Sequence, residues 1–449
     1  MGLNAQFYRA ATPGPPCQVA IQRGVRMYHD QTTRPLNDIR WELFTLLSHG
    51  AFVTMVDKTG FDGWLDPVAY QRIGAAFKEV HTKRAHFGHR PVYDVGLYFS
   101  SRTRDWIGRE NAASYFQSFQ GAHKACVLEH LQFGVLFDEN ASLDALKEFP
   151  VVCLPNAAIL SEKEVSLFRR YVEEGGKLLV TGQSGQFDRM GRARAESAIS
   201  GLIGARAKGR LESMDNWVRL APSPDPRLDS LGTQIAHAQK AGDSAAEVSG
   251  RPPLLVKGPA SIYEPTTARP LGQLLRPHRT TRQLEAKEGT EWPMSADAPV
   301  GPAILINDVG KGTVLTLACS PDFATGSEHP IVEARKLFRN AVRFLHSTPR
   351  VHITAPANVE AVVTDDPAAR TLRIHFVAYN PTPQTTPERN RPYVLPGLVE
   401  DAPMFKASVV LSQTPRDFHA LNPTTMLNRQ ENRLDLTISD LHEVVVIRY

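Results

Sequence analysis

The sequence predicts an α/β protein of several domains: part of a (β/α)8 barrel, then a doubly wound parallel sheet, then a small antiparallel β-sandwich. Three observations carry this. Residues 151–182, VVCLPNAAILSEKEVSLFRRYVEEGGKLLVTG, read as a βαβ unit. The opening ninety residues run strand, loop, helix, strand, loop, helix, with polar residues gathered just after the strands, where α/β folds place their chemistry. From Val351 onward the pattern becomes short alternating strands separated by turn residues.

Taken in order, residues 1–16 are turn-rich and show no periodicity. Residues 17–21 suit a short strand, and residues 38–49 suit a helix with Ile39, Leu43, Leu46 and Leu47 inward. Residues 51–56 form an apolar strand, and Asp66-Pro67 starts a second helix in the order N-cap then proline. Two such units cannot close a sheet, so this segment reads as the last quarter of a barrel whose beginning is absent, with Met1 not the true start. Strands are expected at 95–99 and 133–137 around a helix at 113–130. In the βαβ unit, Ser161 and Glu164 make a capping box, and Gly175-Gly176 can take the positive φ that ends the helix. Residues 222–299 are rich in Pro, Gly and Ser and read as an irregular insertion with a few short strands; a hairpin around 308–311 and a helix over 330–345 follow. In the last segment, Leu372, Ile374 and Phe376 alternate with Arg373, His375 and Val377, and with the turn residues between further strand candidates this predicts a small antiparallel sandwich. The expected domains are therefore 1–90, 91–348 and 349–449.

A chain of 449 residues holds two to four domains. Its 42% hydrophobic and 22% charged content is that of an ordinary globular protein. A net charge of +4 with basic residues dispersed, and no arginine stripe interleaved with aromatics, argues against nucleic acid as a partner. Cys17, Cys126, Cys153 and Cys319 lie far apart, three in apolar contexts, and read as buried free thiols. No apolar run approaches the roughly 20 residues a bilayer demands, and the first twenty residues lack a signal-peptide core. The expectation is a cytoplasmic protein, as written, with no membrane partner. No nucleotide-type glycine fingerprint occurs and no cofactor is expected.

The barrel-end segment LLSHGAFVTMVDKTGFDGWLDPVAYQRIGAAFKEV and the middle segment quoted above give the chain an order of domains that resembles the C-terminal half of family-42 β-galactosidase-type glycoside hydrolases. The resemblance implies a flavodoxin-like middle domain, similar to class I glutamine amidotransferases but without their activity, that often mediates trimerisation. It implies a carbohydrate substrate and a homo-oligomer. It also implies an acid/base Glu after barrel strand 4, upstream of Met1, and a nucleophilic Glu after strand 7. The matching stretch here, residues 17–30, contains no Glu. Because glycoside hydrolysis requires two carboxyl groups, this chain offers at most part of such a pair. A non-catalytic scaffold or carbohydrate-binding protein is the alternative.

Candidate site residues follow from the strand ends. His29-Asp30 lies on the loop after the first strand: Asp30 is a candidate catalytic carboxylate and His29 a sugar contact, against the plain reading of an Asp turning a loop. Asp57 closes the next strand as a second candidate catalytic carboxylate. Lys58, Asp62 and Trp64 beside it are candidate substrate contacts, since an indole face stacks on sugar C–H groups while charged groups bind hydroxyls. The plain reading is an Asp62-Gly63 turn before a helix. Asp66 is assigned to capping. His81, His86 and His89 have no Cys partner nearby, and no metal site is expected. The segment after the strand ending at Thr181, Gly182-Gln183-Ser184-Gly185, offers no cysteine elbow for amidotransferase chemistry.

Overall fold

The structure, a computed structural model, describes residues 1–12, 14, 17–24, 33–57, 62–106, 109, 112–211, 213–232, 253–277, 296–327, 330–382 and 397–449. His29, Asp30 and Lys58 lie outside the described residues. The chain is a mixed α/β protein with several sheets. It divides into two compact units, Met1–Val92 with Pro349–Tyr449, and Tyr93–Thr348.

The first unit opens with α1 (Gly2–Ala11), where the sequence pattern had suggested only turns. Its burial of Gly2, Ala5 and Gln6 is a tertiary effect, which local propensity does not report. Strands β1 (Gln18–Gln22) and β2 (Phe52–Val56) then pair in parallel, from Gln18 opposite Phe52 to Gln22 opposite Val56. Between them runs α2 (Leu36–Ser48), and after them α3 (Pro67–Thr82). Ile39, Leu43 and Leu46 of α2 are fully buried with Ala5, Ile21, Ala51, Ile73 and Ala76. Parallel strands are normally covered on both faces, yet Phe52 is 47% and Val56 38% exposed. A two-residue strand, β3 (Arg90–Pro91), closes the segment.

In the Tyr93–Thr348 unit, β4 (Val95–Phe99), α4 (Ser101–Trp106), α5 (Ala112–Leu128), β5 (Phe133–Phe137), α6 (Leu143–Lys147), β6 (Val151–Leu154), α7 (Glu162–Glu173) and β7 (Lys177–Thr181) alternate. The capping box at α7 forms: Ser161 N–H donates to Glu164 Oε2 at 2.8 Å, and Glu164 N–H to Ser161 Oγ at 3.4 Å. Gly175 ends the helix with φ +113°. After α8 (Ser200–Ile203) come β8 (Ala205–Leu211), β9 (Asp215–Arg219), α9 (Pro226–Asp229), β10 (Leu254–Lys257), β11 (Ala260–Pro265), β12 (Arg269–Leu271), β13 (Gln273–Pro277) and β14 (Ala296–Gly301). Of these, β10-β9-β13-β14 form one sheet, and β11 pairs with β8. The hairpin β15 (Ile304–Val309) and β16 (Gly312–Leu317) completes a seven-stranded sheet of order β12-β15-β16-β7-β6-β4-β5. Its five strands from β16 to β5 run parallel. Two helices, Pro321–Gly326 and Val332–Leu345, end the unit.

The last segment supplies β17 (Val351–Thr354), β18 (Val359–Asp366), β19 (Thr371–Ala378), β20 (Phe405–Leu411), β21 (Asp417–Ala420), β22 (Met426–Gln430), β23 (Arg433–Ile438) and β24 (His442–Arg448). They make two antiparallel sheets, β17-β20-β23-β22 and β21-β24-β19-β18-β3. Thus β3, from the first segment, adds a strand to the second sheet, with Pro91 opposite Thr364. The alternation in β19 does not separate a wet face from a dry one. All of its residues are buried, because Phe87 stacks on His375 at 5.2 Å while Phe44 and Val377 share a buried cluster.

Candidate functional site

The parallel register that sets Gln22 opposite Val56 brings the next residues, Arg23 and Asp57, together at the C-terminal ends of β1 and β2. Arg23 Nε donates to Asp57 Oδ1, and the two side chains are only 5% and 9% exposed. Arg23 N–H also bonds the Val56 carbonyl at 3.2 Å, so the ion pair is aligned by the sheet itself. The same guanidinium reaches Asp66 Oδ2 at 3.2 Å and Thr33 Oγ1 at 3.3 Å. Asp66 does two jobs: its Oδ1 accepts Val68 N–H at 3.0 Å as the N-cap of α3, while Oδ2 faces Arg23 and Thr33. Burial would raise its pKa, but the Val68 and Ala69 N–H groups, Thr33 and Arg23 together hold it below the ordinary carboxylate value.

The loop leaving β1 is pinned at its base. Gly24 bridges Thr33, Arg34 N–H bonds the Arg23 carbonyl at 3.0 Å, and Arg72 Nη1 donates to the Thr33 and Arg34 carbonyls at 3.3 and 3.2 Å. Arg34 is buried and pairs with Asp38 and Glu42 of α2 while donating to the Gln22 carbonyl at 2.9 Å. The end of β1 and the start of α2 are thereby locked to each other.

Trp64 is 55% exposed. Asp62 Oδ1 accepts the Trp64 backbone N–H at 3.0 Å, an Asx turn that ties up one oxygen of the carboxylate. Tyr70, at 41% exposure, borders Asp57; burial and then the Asp57 charge raise its phenol pKa. The structure therefore gathers Asp57 with Arg23, Thr33, Asp66 and Tyr70, none of which except Asp66 the sequence patterns singled out. Arg23 carried a signal, since it follows its strand as Asp57 follows the next. Chemically the cluster sets two carboxylates on one guanidinium, with the Tyr70 phenol against Asp57, so each carboxylate accepts hydrogen bonds.

Among the described residues no cluster of three or more His, Cys, Asp or Glu side chains is placed to hold a metal ion, and no helix is long and apolar enough to cross a membrane. In the Tyr93–Thr348 unit, the sheet order reverses at β4, where ligands commonly bind. There Asp138 accepts from Ser101 N–H at 2.9 Å and from Ser101 Oγ at 2.6 Å, so the protein's own carboxylate occupies the start of α4. Cys153 lies fully buried within β6, and burial keeps its thiol well above the usual value, the opposite of a reactive cysteine.

No protein-family profile and no characterised protein sequence matches the chain. Solved structures do. An α-L-fucosidase isoenzyme 2 from Paenibacillus thiaminolyticus superposes with a TM-score of 0.72 at 16% identity, over 96% of this chain and 60% of its own. A β-galactosidase from Bacillus circulans sp. alkalophilus gives 0.66 at 13% identity, over 100% of this chain and 57% of its own. A GH42 β-galactosidase from G. stearothermophilus gives 0.64 at 14%, over 100% and 56%. The chain thus spans 60% or less of the length of these proteins. At such identities the likeness is one of fold, and the fold is similar to that of GH42 β-galactosidases.

Proposed function

We propose that this chain is the C-terminal portion of a β-galactosidase-like glycoside hydrolase. In this reading β1, β2 and their helices are the last two units of a (β/α)8 barrel, and further barrel strands outside this sequence pair with them. The observation that carries it is the ion-paired Asp57 at the C-terminal ends of two parallel strands, in a chain whose fold matches glycosidases over slightly more than half their length. The open faces at Phe52 and Val56 support the missing-strand part of the reading. Trp64 would stack on a sugar ring and Asp57 would act as the catalytic carboxylate of this half. Asp30 would be a second carboxylate, with His29, Lys58 and Asp62 contacting hydroxyls. The Tyr93–Thr348 unit would be a flavodoxin-like, amidotransferase-like scaffold without a nucleophile, a reading its β5-β4-β6-β7-β16 order supports, and one able to mediate a homo-trimer.

The test is hydrolysis of an aryl β-galactoside by the chain alone and by the chain joined to a complete barrel. Activity that appears with the complete barrel and falls at least about a hundredfold in Asp57→Asn supports the proposal. Full activity in Asp57→Asn and Trp64→Ala sinks this assignment of the site.

A non-catalytic, oligomerising carbohydrate-binding scaffold is favoured by one observation, the commitment of both Asp57 and Asp66 to Arg23. Sugar binding without turnover in the completed protein would establish it.

A further inference from the structure

Basic residues that look dispersed along the sequence are brought by the fold to residues 187–196 of the Tyr93–Thr348 unit. Arg206, Lys208 and Arg210 of β8 are all exposed, and a register shift against β11 leaves Lys208 unpaired and breaks the strand's alternation there. Residues 187–196 run beside them, anchored at both ends. The Arg210 guanidinium lies 4.6 Å from the Phe187 ring centroid, and Arg206 Nε lies 3.9 Å from Glu196 Oε1.

Between those anchors the segment exposes Arg189, Arg192 and Arg194. Asp188 is turned onto its own loop, accepting Met190 N–H at 2.8 Å and Arg192 N–H at 2.9 Å. Glu196 and Glu264 answer Arg206 and Lys208, the latter at 2.8 Å. Six cations thus meet three carboxylates among the described residues of 187–196 and the strands beside them, an exposed positive excess.

Such a face suits a polyanion, and guanidinium forks match carboxylates in particular. The aromatic rings at the patch discriminate further. Phe187 is covered by Arg210, and Trp106, against which Gly191 packs, carries Arg109 at 5.7 Å. A guanidinium thus already covers one face of each ring, which leaves less room for nucleobases to stack.

We propose that this face binds an acidic polysaccharide, its uronate carboxylates pairing with Arg192, Arg194 and Arg210 and its hydroxyls with the neighbouring backbone. The choice of a polysaccharide rests on the glycosidase reading; the anionic character of the partner rests on the patch alone.

The test uses the full chain in affinity electrophoresis through gels containing polygalacturonate, neutral galactan or single-stranded oligothymidylate. The expected result is retardation by polygalacturonate alone at about 0.05 M salt, fading towards about 0.5 M as screening grows. The triple variant Arg192→Gln, Arg194→Gln, Arg210→Gln should bind about tenfold more weakly or worse. These side chains are exposed, so its circular dichroism and Tm should match the parent. No retardation of the parent, equal retardation of the variant, or stronger retardation by oligothymidylate overturns the proposal. Turnover is not read here, so an inactive protein that still binds polygalacturonate leaves this inference standing while the hydrolase reading falls.

Discussion

The Arg23–Asp57 pair shows how a single residue's role depends on its partner. Both side chains are nearly buried, and removing one partner of such a pair leaves a charge uncompensated. Asp57→Ala should therefore cost about 3–5 kcal/mol of stability. Arg23→Leu together with Asp57→Leu should cost much less, because no lone charge remains. Urea midpoints of the single and double variants decide this; equal losses would show that the pair packs as inert bulk. Exposed Trp64, by contrast, should change stability by only about 0.5 kcal/mol when truncated, so any loss of sugar binding there is a loss of contact. At this scale Asp57 and Asp66 were legible, one following an apolar run and the other preceding a proline at a helix start. Thr33 and Tyr70 were not, since Thr33 meets Asp66 across a sequence separation of 33 residues and nothing local announces such a meeting.

At the scale of elements, α7 and its reciprocal cap were visible as Ser161 and Glu164 three apart. Ser161→Ala should lower the stability of the Tyr93–Thr348 unit by about 1 kcal/mol, read as a shift of its unfolding midpoint. The packing of α5 was not visible. Gly121 lets it approach the helix Pro321–Gly326 so closely that a Cβ there would stand 1.9 Å from the Asp322 carbonyl oxygen, and Gly326 N is 2.7 Å away. Backbone cannot yield as a flexible side chain can. Gly121→Ala should thus destabilise by about 3 kcal/mol or more, whereas Gly74→Ala, with open space at its Cβ in the middle of α3, should be neutral or stabilising. A thermal-unfolding comparison of the two separates close approach from simple helix propensity.

Over the whole molecule, the two units carry buried titratable groups of opposite sign. In the unit formed by Met1–Val92 and Pro349–Tyr449, His375 and His442 are fully buried and linked in a line. Lys83 Nζ lies 3.3 Å from His442 Nδ1, His442 Nε2 lies 3.4 Å from His375 Nδ1, and His375 Nε2 lies 3.1 Å from the His86 carbonyl oxygen. Lysine can only donate and a carbonyl only accept, so the line is satisfied with both imidazoles neutral. Burial pushes the His375 pKa down to about 3 and that of His442 well below normal, with Lys83, His86, His49, Arg40 and Arg373 adding positive charge nearby. A lowered histidine contributes its full stability above the unfolded value of about 6.5 and loses it as pH falls towards the folded one, at about 1.4 kcal/mol per pH unit for each group.

In the Tyr93–Thr348 unit the signs reverse. Burial lifts Asp322 to about 7, although Thr181 Oγ1 donates to it at 2.9 Å, and lifts Asp94 to about 6. Raised carboxyls contribute most below about 3.8 and lose that contribution as pH climbs through the folded value. His346, lowered by burial and 3.5 Å from Asp94, offsets part of this. Moving from pH 7.5 to 5 should therefore weaken the first unit and strengthen the second, drawing two unfolding transitions apart. Asp322→Asn should flatten the response of the second unit, and His375→Gln with His442→Gln that of the first. Transitions that shift together, unaffected by these variants, would refute the assignment.

The sequence by itself determined the approximate bounds of β1, β2, β4–β7, α2, α3, α5 and α7, the apolar face of α2, and the change from α/β to all-β near residue 350. Those properties follow from backbone hydrogen bonding, capping and side-chain period, all of which act within a few residues. Only the tertiary structure decided that residues 1–92 and 349–449 make one unit, that both faces of β19 are buried, that Arg23 sits on Asp57, and that Arg210 lies over Phe187. Each of these is a pairing between positions tens to hundreds of residues apart. Such pairings are settled by the burial and register of the assembled chain, which no local pattern encodes.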